Sequence, residues 1–125
     1  MSSADAEAEI RQLHARYFET LGSGDLDGLA AHFTFPAVFK GFLDDVATVS
    51  DPSALAPTYQ RLIAAAPKAA RTDVLGLDYA RLRPGVHTLT MRYEQYGADD
   101  QLIHEGRAMY LAKEVSGELR LFAVL

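Results

Sequence analysis

Hydrophobic residues near the start of the chain recur at the spacing of an amphipathic helix. Ile10, Leu13, Tyr17 and Leu21 follow one another at intervals of three or four residues. This is the period of one helix face, so the pattern predicts a first helix that packs this face against a core. The Gly22-Ser23-Gly24 segment is expected to end that helix.

Two more helices are predicted before the strands begin. The second should start after Asp25, and Pro36 should end it or follow its end closely. The third should start at Asp51-Pro52-Ser53, where proline suits the first helical turn, and end before Pro67. Their apolar faces consist of Leu26, Leu29, Ala30 and Phe33 in the second helix and of Leu55, Tyr59, Leu62 and Ile63 in the third. Between these helices, hydrophobic residues from 39 to 49 suggest two short extended segments.

The second half of the chain is rich in β-branched, aromatic and aliphatic residues. Four strands are predicted, at Val74–Leu82, Val86–Tyr96, Gln101–Lys113 and Leu119–Leu125. Short turns containing glycine, proline or aspartate separate them, so consecutive strands should pair antiparallel. Helices followed by an antiparallel sheet make an α+β fold, and residues 1–125 are expected to form one domain.

Charge and composition narrow the classes of partner. A net charge of −5 argues against nucleic acid or an anionic membrane, because both require a basic surface. The absence of cysteine excludes disulfides and thiolate-bound metals. The first nine residues are acidic and no apolar run is long enough to span a membrane, so a cytoplasmic location is expected.

Polar residues with chemical potential are few and scattered. His14, His32, His87 and His104 show no metal-ligand spacing, so neither a metal nor an organic cofactor is expected. Four charged residues of the predicted strands could form a cross-strand ion network on an exposed sheet face, and a buried catalytic charge cluster is the alternative. These residues are Arg92, Glu94, Glu105 and Arg107.

Two tyrosines lie on predicted apolar helix faces. Tyr17 belongs to the first helix and Tyr59 to the third. A tyrosine on a core face buries its ring, but its hydroxyl still needs a hydrogen-bond partner. The two hydroxyls could pair with each other or with a ligand oxygen, and a simple aromatic core is the alternative.

One segment resembles a known family. The residues from Arg16 to Leu29, which read RYFETLGSGDLDGL, followed by His32-Phe33, are similar to the opening of the nuclear transport factor 2-like superfamily. That group includes ketosteroid isomerases, SnoaL-like polyketide cyclases, limonene epoxide hydrolase and scytalone dehydratase. The resemblance implies three N-terminal helices on a strongly curved, mainly antiparallel sheet that forms a cone with an internal pocket. It also implies a homodimer formed through the outer sheet face, which carries Thr88, Thr90, Arg92 and Tyr96.

The resemblance to ketosteroid isomerase also implies pocket residues. Tyr17 falls at the tyrosine that hydrogen-bonds the substrate oxygen, and Tyr59 falls close to the tyrosine that supports it. On the strands, the resemblance favours one face of residues 107–111, whereas a symmetric turn at residues 99–100 would favour His104, Ala108 and Tyr110. The candidates for the pocket are Tyr17, Phe33, Tyr59, Leu89, Met91, Tyr93, Arg107 and Met109.

The isomerase carboxylates are missing from the aligned positions. The general base falls on Gly41, and the protonated aspartate of the oxyanion hole falls near Met109. Asp44, Asp45, Glu105 or a histidine remain as bases, and no catalytic residue is assigned. The sequence therefore predicts a protein that binds a small apolar ligand, with isomerase, cyclase, dehydratase or hydrolase activity open. A non-enzymatic homodimerising or ligand-sequestering module is the alternative.

Overall fold

In the computed structural model, which describes residues 1–125, the first helix (α1) runs from Ser3 to Gly22. This confirms the helix predicted from the hydrophobic period. Ser2 caps it, since its hydroxyl accepts a hydrogen bond from the backbone N–H of Asp5 at 3.1 Å. The guanidinium of Arg11 donates to the carbonyl of Leu77 at 2.9 Å and so ties the helix to the sheet.

The predicted second helix is shorter than expected. Only a 3₁₀-helix forms, at Asp27–His32, and Phe33 already begins a strand. That strand pairs in parallel with the last strand of the chain, where Phe33 lies opposite Leu121. The helical prediction for Phe33 was wrong because a strand far along the sequence pairs with this apolar segment.

The third predicted helix is confirmed. A short 3₁₀ turn at Pro52–Ala54 leads into α2, which runs from Leu55 to Ala65. Asp51 caps the 3₁₀ turn, since its carboxylate accepts a hydrogen bond from the backbone N–H of Ser53 at 2.9 Å. Helix α2 ends at Ala65, before Pro67, as expected from the position of this proline.

Six strands form one open sheet. They are β1 (Phe33–Phe39), β2 (Ala47–Val49), β3 (Arg71–Arg83), β4 (Val86–Tyr96), β5 (Leu102–Val115) and β6 (Glu118–Val124). Their order is β2-β1-β6-β5-β4-β3, so the four predicted strands are neighbours and two short strands extend the sheet beyond β6. Only β1 and β6 pair in parallel. The helices pack on this mixed, mainly antiparallel sheet, which confirms the α+β class.

The hydrophobic core fills the space between the helices and the inner face of the sheet. Ile10 and Tyr17 of α1, Phe39 of β1, Leu89 of β4 and Leu121 of β6 all belong to it. Neither α-helix is long and apolar enough to cross a membrane.

Strand register overturns the predicted ion network. Arg92 of β4 lies opposite Arg107 of β5, and Glu94 lies opposite Glu105. No ion pair joins these four residues, and Arg92 instead contacts the carboxylate of Asp78 at 3.1 Å. The prediction was wrong because the register sets like charges against each other.

Candidate functional site

A cavity of about 710 Å³ opens between the two α-helices and the inner face of β3, β4 and β5. Tyr17 of α1, Tyr59 and Leu62 of α2, and Met91 and Tyr93 of β4 line it. Of its 22 lining residues, 15 are hydrophobic. A cavity of this volume, mostly apolar with a few polar groups, has the character of a small-molecule site.

Two tyrosine hydroxyls meet in this cavity. The Oη atoms of Tyr17 and Tyr59 lie 2.7 Å apart and share a hydrogen bond, which confirms their predicted approach. Both residues are buried, at 3% exposure each, and burial raises the pKa of each phenol. They therefore remain protonated at neutral pH. One hydrogen bond uses one of the two protons, so the pair keeps one hydroxyl proton for another acceptor.

Two further buried rings pack against this pair. The ring centroid of Tyr110 lies 5.6 Å from that of Tyr17, and burial raises the pKa of Tyr110 as well. His14 of α1 lies behind them, with its ring centroid 4.5 Å from that of Tyr110. Burial lowers the pKa of His14 to about 4, and its Nε2 has no hydrogen-bond partner. His14 is therefore a neutral core residue outside the cavity lining.

A histidine–tyrosine pair forms a second polar group in the lining. The Oη of Tyr93 lies 3.0 Å from Nε2 of His104. The Phe42 ring packs edge-on against the His104 ring, with 5.0 Å between their centroids. Gly106 lies directly opposite Tyr93 in the β4–β5 pairing. The sequence analysis did not single out this pair, although a glycine inside a strand often marks a close approach of another group and could have pointed to it.

Comparison with known proteins gives matches at the level of structure. Neither a protein-family model nor a curated protein matches the sequence. An NTF2-like protein of unknown function from Pseudomonas putida KT2440 superposes with a TM-score of 0.76 at 17% identity, over 99% of this chain and 87% of that one. A cystatin-like fold protein of unknown function from Nostoc punctiforme PCC 73102 gives a TM-score of 0.71 at 16% identity, over 99% and 90%.

This chain has the NTF2-like, cystatin-like fold. A further solved protein with this likeness comes from Catenulispora acidiphila and was determined in complex with S-DNPA. It gives a TM-score of 0.71 at 17% identity and covers 98% of this chain and 92% of that one. Identities this low establish the fold alone.

Within the NTF2-like fold, four of the eight pocket candidates line the cavity from its inner face. These are Tyr17, Tyr59, Met91 and Tyr93. Arg107 borders the cavity, but it is exposed and alternates with the inner-face residues Gly106 and Ala108, so its side chain belongs to the outer face of β5. Phe33 and Leu89 lie in the core beside it, at 4% and 0% exposure. The prediction put both residues in the cavity wall, but both are buried in the core. A sequence pattern shows that a residue is apolar and faces inward, and it does not distinguish a core position from a cavity wall.

Met109 was assigned to the wrong face of β5. It is 39% exposed, whereas His104, Ala108 and Tyr110 line the cavity. The inner face is thus the alternative predicted from a symmetric turn. A register shift between Gln95 and Tyr96 accompanies the turn that sets this alternation.

No aspartate or glutamate side chain lies among the cavity-lining residues. Asp44, Asp45 and Glu105, considered as bases, are exposed and lie outside the lining. Gly41 does line the cavity, at the position where the resemblance places the isomerase base. The titratable side chains on the inner face of the wall are the tyrosines and His104.

Proposed function

We propose that this protein binds a small, mainly apolar ligand that carries a hydroxyl or carbonyl oxygen. The hydrogen-bonded Tyr17–Tyr59 pair supports this proposal, because its hydroxyls lie 2.7 Å apart in the wall of an otherwise mainly apolar cavity. The proton left over from their mutual hydrogen bond would be donated to the ligand oxygen. The apolar wall would bury the rest of the ligand.

The structural neighbours are compatible with this proposal. The Catenulispora acidiphila protein was determined in complex with S-DNPA. A cavity of about 710 Å³ has room for a ligand of one or two fused rings with small substituents.

A matched pair of probes tests the tyrosine pair. 2-Naphthol and naphthalene differ by one hydroxyl, so their affinities isolate its contribution. After correction for the difference in hydrophobicity between the two probes, we expect 2-naphthol to bind about 2- to 10-fold more tightly than naphthalene, which is the contribution of one neutral hydrogen bond. The double variant Tyr17→Phe with Tyr59→Phe removes both hydroxyl protons and should remove that preference, measured by quenching of naphthol fluorescence and by competition for naphthalene.

Tyr79→Phe is the matched control. Tyr79 is a partly buried tyrosine that hydrogen-bonds His87 and does not line the cavity. Its variant should keep the preference for naphthol. Equal discrimination by wild type and the Tyr17→Phe, Tyr59→Phe double variant, or the absence of binding, would contradict the proposal.

We also propose that the protein is a homodimer formed through the outer face of the sheet. Met109, exposed at 39%, and the partly buried Thr90 lie opposite each other in the β4–β5 pairing. Thr88, expected in this contact, is only 7% exposed and its hydroxyl donates to the carbonyl of Ala80, so it would contribute little. An apolar side chain among polar neighbours suits a two-fold contact.

Sedimentation equilibrium at micromolar concentration tests the dimer. We expect a species of twice the 13.7 kDa chain mass, and Met109→Lys should shift it toward the monomer. A wild-type protein that sediments only at 13.7 kDa would refute the dimer. A dimer without ligand binding would favour the non-enzymatic dimerising module.

A further inference from the structure

His104 is held in place by a single hydrogen bond inside the cavity. Its Nε2 lies 3.0 Å from the hydroxyl of Tyr93, and its ring packs against those of Tyr93 and Phe42. With Nε2 engaged, Nδ1 is the ring nitrogen left for a ligand. The pair can adopt either tautomer, because a phenol both donates and accepts.

Gly106 makes room for this pair. An added Cβ at residue 106 would lie 3.1 Å from Nε2 of His104 and 3.4 Å from the hydroxyl of Tyr93. A larger residue would therefore crowd Nε2 of His104 while touching the Tyr93 hydroxyl at an ordinary contact distance. Glycine weakens a strand interior, so its presence here is explained by the space that the Tyr93–His104 contact needs.

The charges around the cavity favour an anionic ligand group beside His104. The lining contains no aspartate or glutamate side chain that would repel an anion or compete for the imidazole. Burial raises the pKa values of Tyr17, Tyr59, Tyr93 and Tyr110, so these phenols stay neutral hydrogen-bond donors. Among these inner-face side chains, the imidazole of His104 is the group whose free ring nitrogen can accept a proton.

Building on the proposed binding function, we propose that His104 accepts a proton from a weakly acidic hydroxyl of the ligand, and that the site therefore takes phenols and enols as their anions. The ligand O–H bond breaks and its proton forms the N–H bond at Nδ1. The ligand oxygen keeps the electron pair and stands as an anion beside the imidazolium. Tyr93 is the positioning residue, since it acts through His104.

Two probes that differ only in the acidic proton test this inference. 4-Nitrophenol reports its own ionisation, since its phenolate absorbs at longer wavelength, and 4-nitroanisole lacks the proton. At a pH below the solution pKa of 4-nitrophenol, we expect the bound probe to be mostly phenolate. An adjacent positive charge shifts such an equilibrium by about one pKa unit or more, which is about tenfold in the ratio of phenolate to phenol.

Variants separate the role of His104 from a general effect of the cavity. His104→Asn should lower the bound phenolate ratio by about tenfold, and Gly106→Ala and Tyr93→Phe should lower it by a smaller factor. The matched control is His32→Asn, because His32 lies outside this cavity and bonds the hydroxyl of Thr20. Circular dichroism melting checks that each variant is folded, and imidazole ¹⁵N shifts of the complex should show His104 protonated.

Several results would overturn the inference. A phenolate shift retained in His104→Asn, or lost in Arg107→Gln instead, would assign the effect to another group. If 4-nitrophenol bound as the neutral phenol and with the same affinity as 4-nitroanisole, proton transfer would be refuted, while the proposed ligand binding would stand. Failure of both probes to bind would count against both proposals.

Discussion

Arg92 of β4 lies directly opposite Arg107 of β5 on the outer face of the sheet. Two residues further on, Glu94 lies opposite Glu105 in the same way. Directly opposed like charges destabilise a pair of strands. Arg92 has one compensating contact, with Asp78 at 3.1 Å. The outer surface therefore contains two pairs of like charges whose repulsion could be removed by exchanging charged residues between positions.

Exchanging the two β5 charges should stabilise the protein. The double variant Glu105→Arg with Arg107→Glu keeps the composition and turns both direct pairs into pairs of opposite charge. We expect a gain of about 0.2–1 kcal/mol per pair in the free energy of unfolding by urea at low salt. The gain should shrink with added salt, because Glu105 and Arg107 are exposed and salt screens charges at the surface. As a control, Glu105→Gln with Arg107→Gln removes repulsion without adding attraction, and a charge exchange no more stabilising than this would refute the prediction.

The same register explains what the sequence could and could not reveal about the site. Tyr17 and Tyr59 were predicted because helix periodicity fixes which residues share a face. On β5 the side-chain period is two, so a slip of one residue exchanges Met109 for Ala108 or Tyr110. The hairpin turn and the shift between Gln95 and Tyr96 decide that slip, and neither is visible in the hydrophobic pattern.

The first strand shows a second limit of local pattern. Leu26, Leu29, Ala30 and Phe33 have helical spacing, yet Phe33 is drawn into a parallel pair with β6. Two segments so far apart in sequence can pair without either one showing the alternation of hydrophobic residues that predicts a strand. The four long strands were predicted because short turns force neighbouring strands together.

Leu89 and Met109 should respond in opposite ways to truncation. Leu89 is fully buried in the core, so Leu89→Ala should cost about 2–5 kcal/mol of unfolding free energy. Met109 is 39% exposed, and the monomer should lose less than about 0.5 kcal/mol on Met109→Ala. Urea denaturation at concentrations that keep the protein monomeric measures both. A small loss at Leu89 would mean that the residue borders the cavity.

Wild-type protein should not isomerise Δ5-3-ketosteroids. Gly41 has no side chain to act as the base, and Met109 points away from the cavity. Losing a general base typically costs about 10²–10⁴-fold in rate, and losing an oxyanion donor about 10²–10³-fold. A steady-state absorbance assay checks this. Asp44 and Asp45 are exposed and lie outside the cavity lining, so neither should act as the base. Turnover well above buffer that disappears in Asp44→Asn or Asp45→Asn would contradict the prediction.

His14 should make the folded state sensitive to acid. Burial lowers its pKa from 6.5 to about 4 in the folded protein. Between those two values the unfolded chain binds more protons than the folded one. Stability should therefore fall as the pH drops through 6.5 toward 4, with no contribution from this residue above that window. The loss has a ceiling of roughly 3 kcal/mol, at about 1.4 kcal/mol per pKa unit.

Replacing His14 by leucine should flatten this dependence. Leucine cannot take up a proton, and it also removes the Nε2 atom that lacks a partner among the surrounding rings. Urea denaturation of both proteins at about pH 7 and about pH 4.5 should show a smaller loss of stability in His14→Leu than in wild type. His32→Gln is the matched control. The pKa of His32 is also lowered, by burial and by Arg16 and Arg120, but its ring is only partly buried and its effect should be smaller. If His14→Leu lost as much stability as wild type over this range, the acid sensitivity would belong to another group.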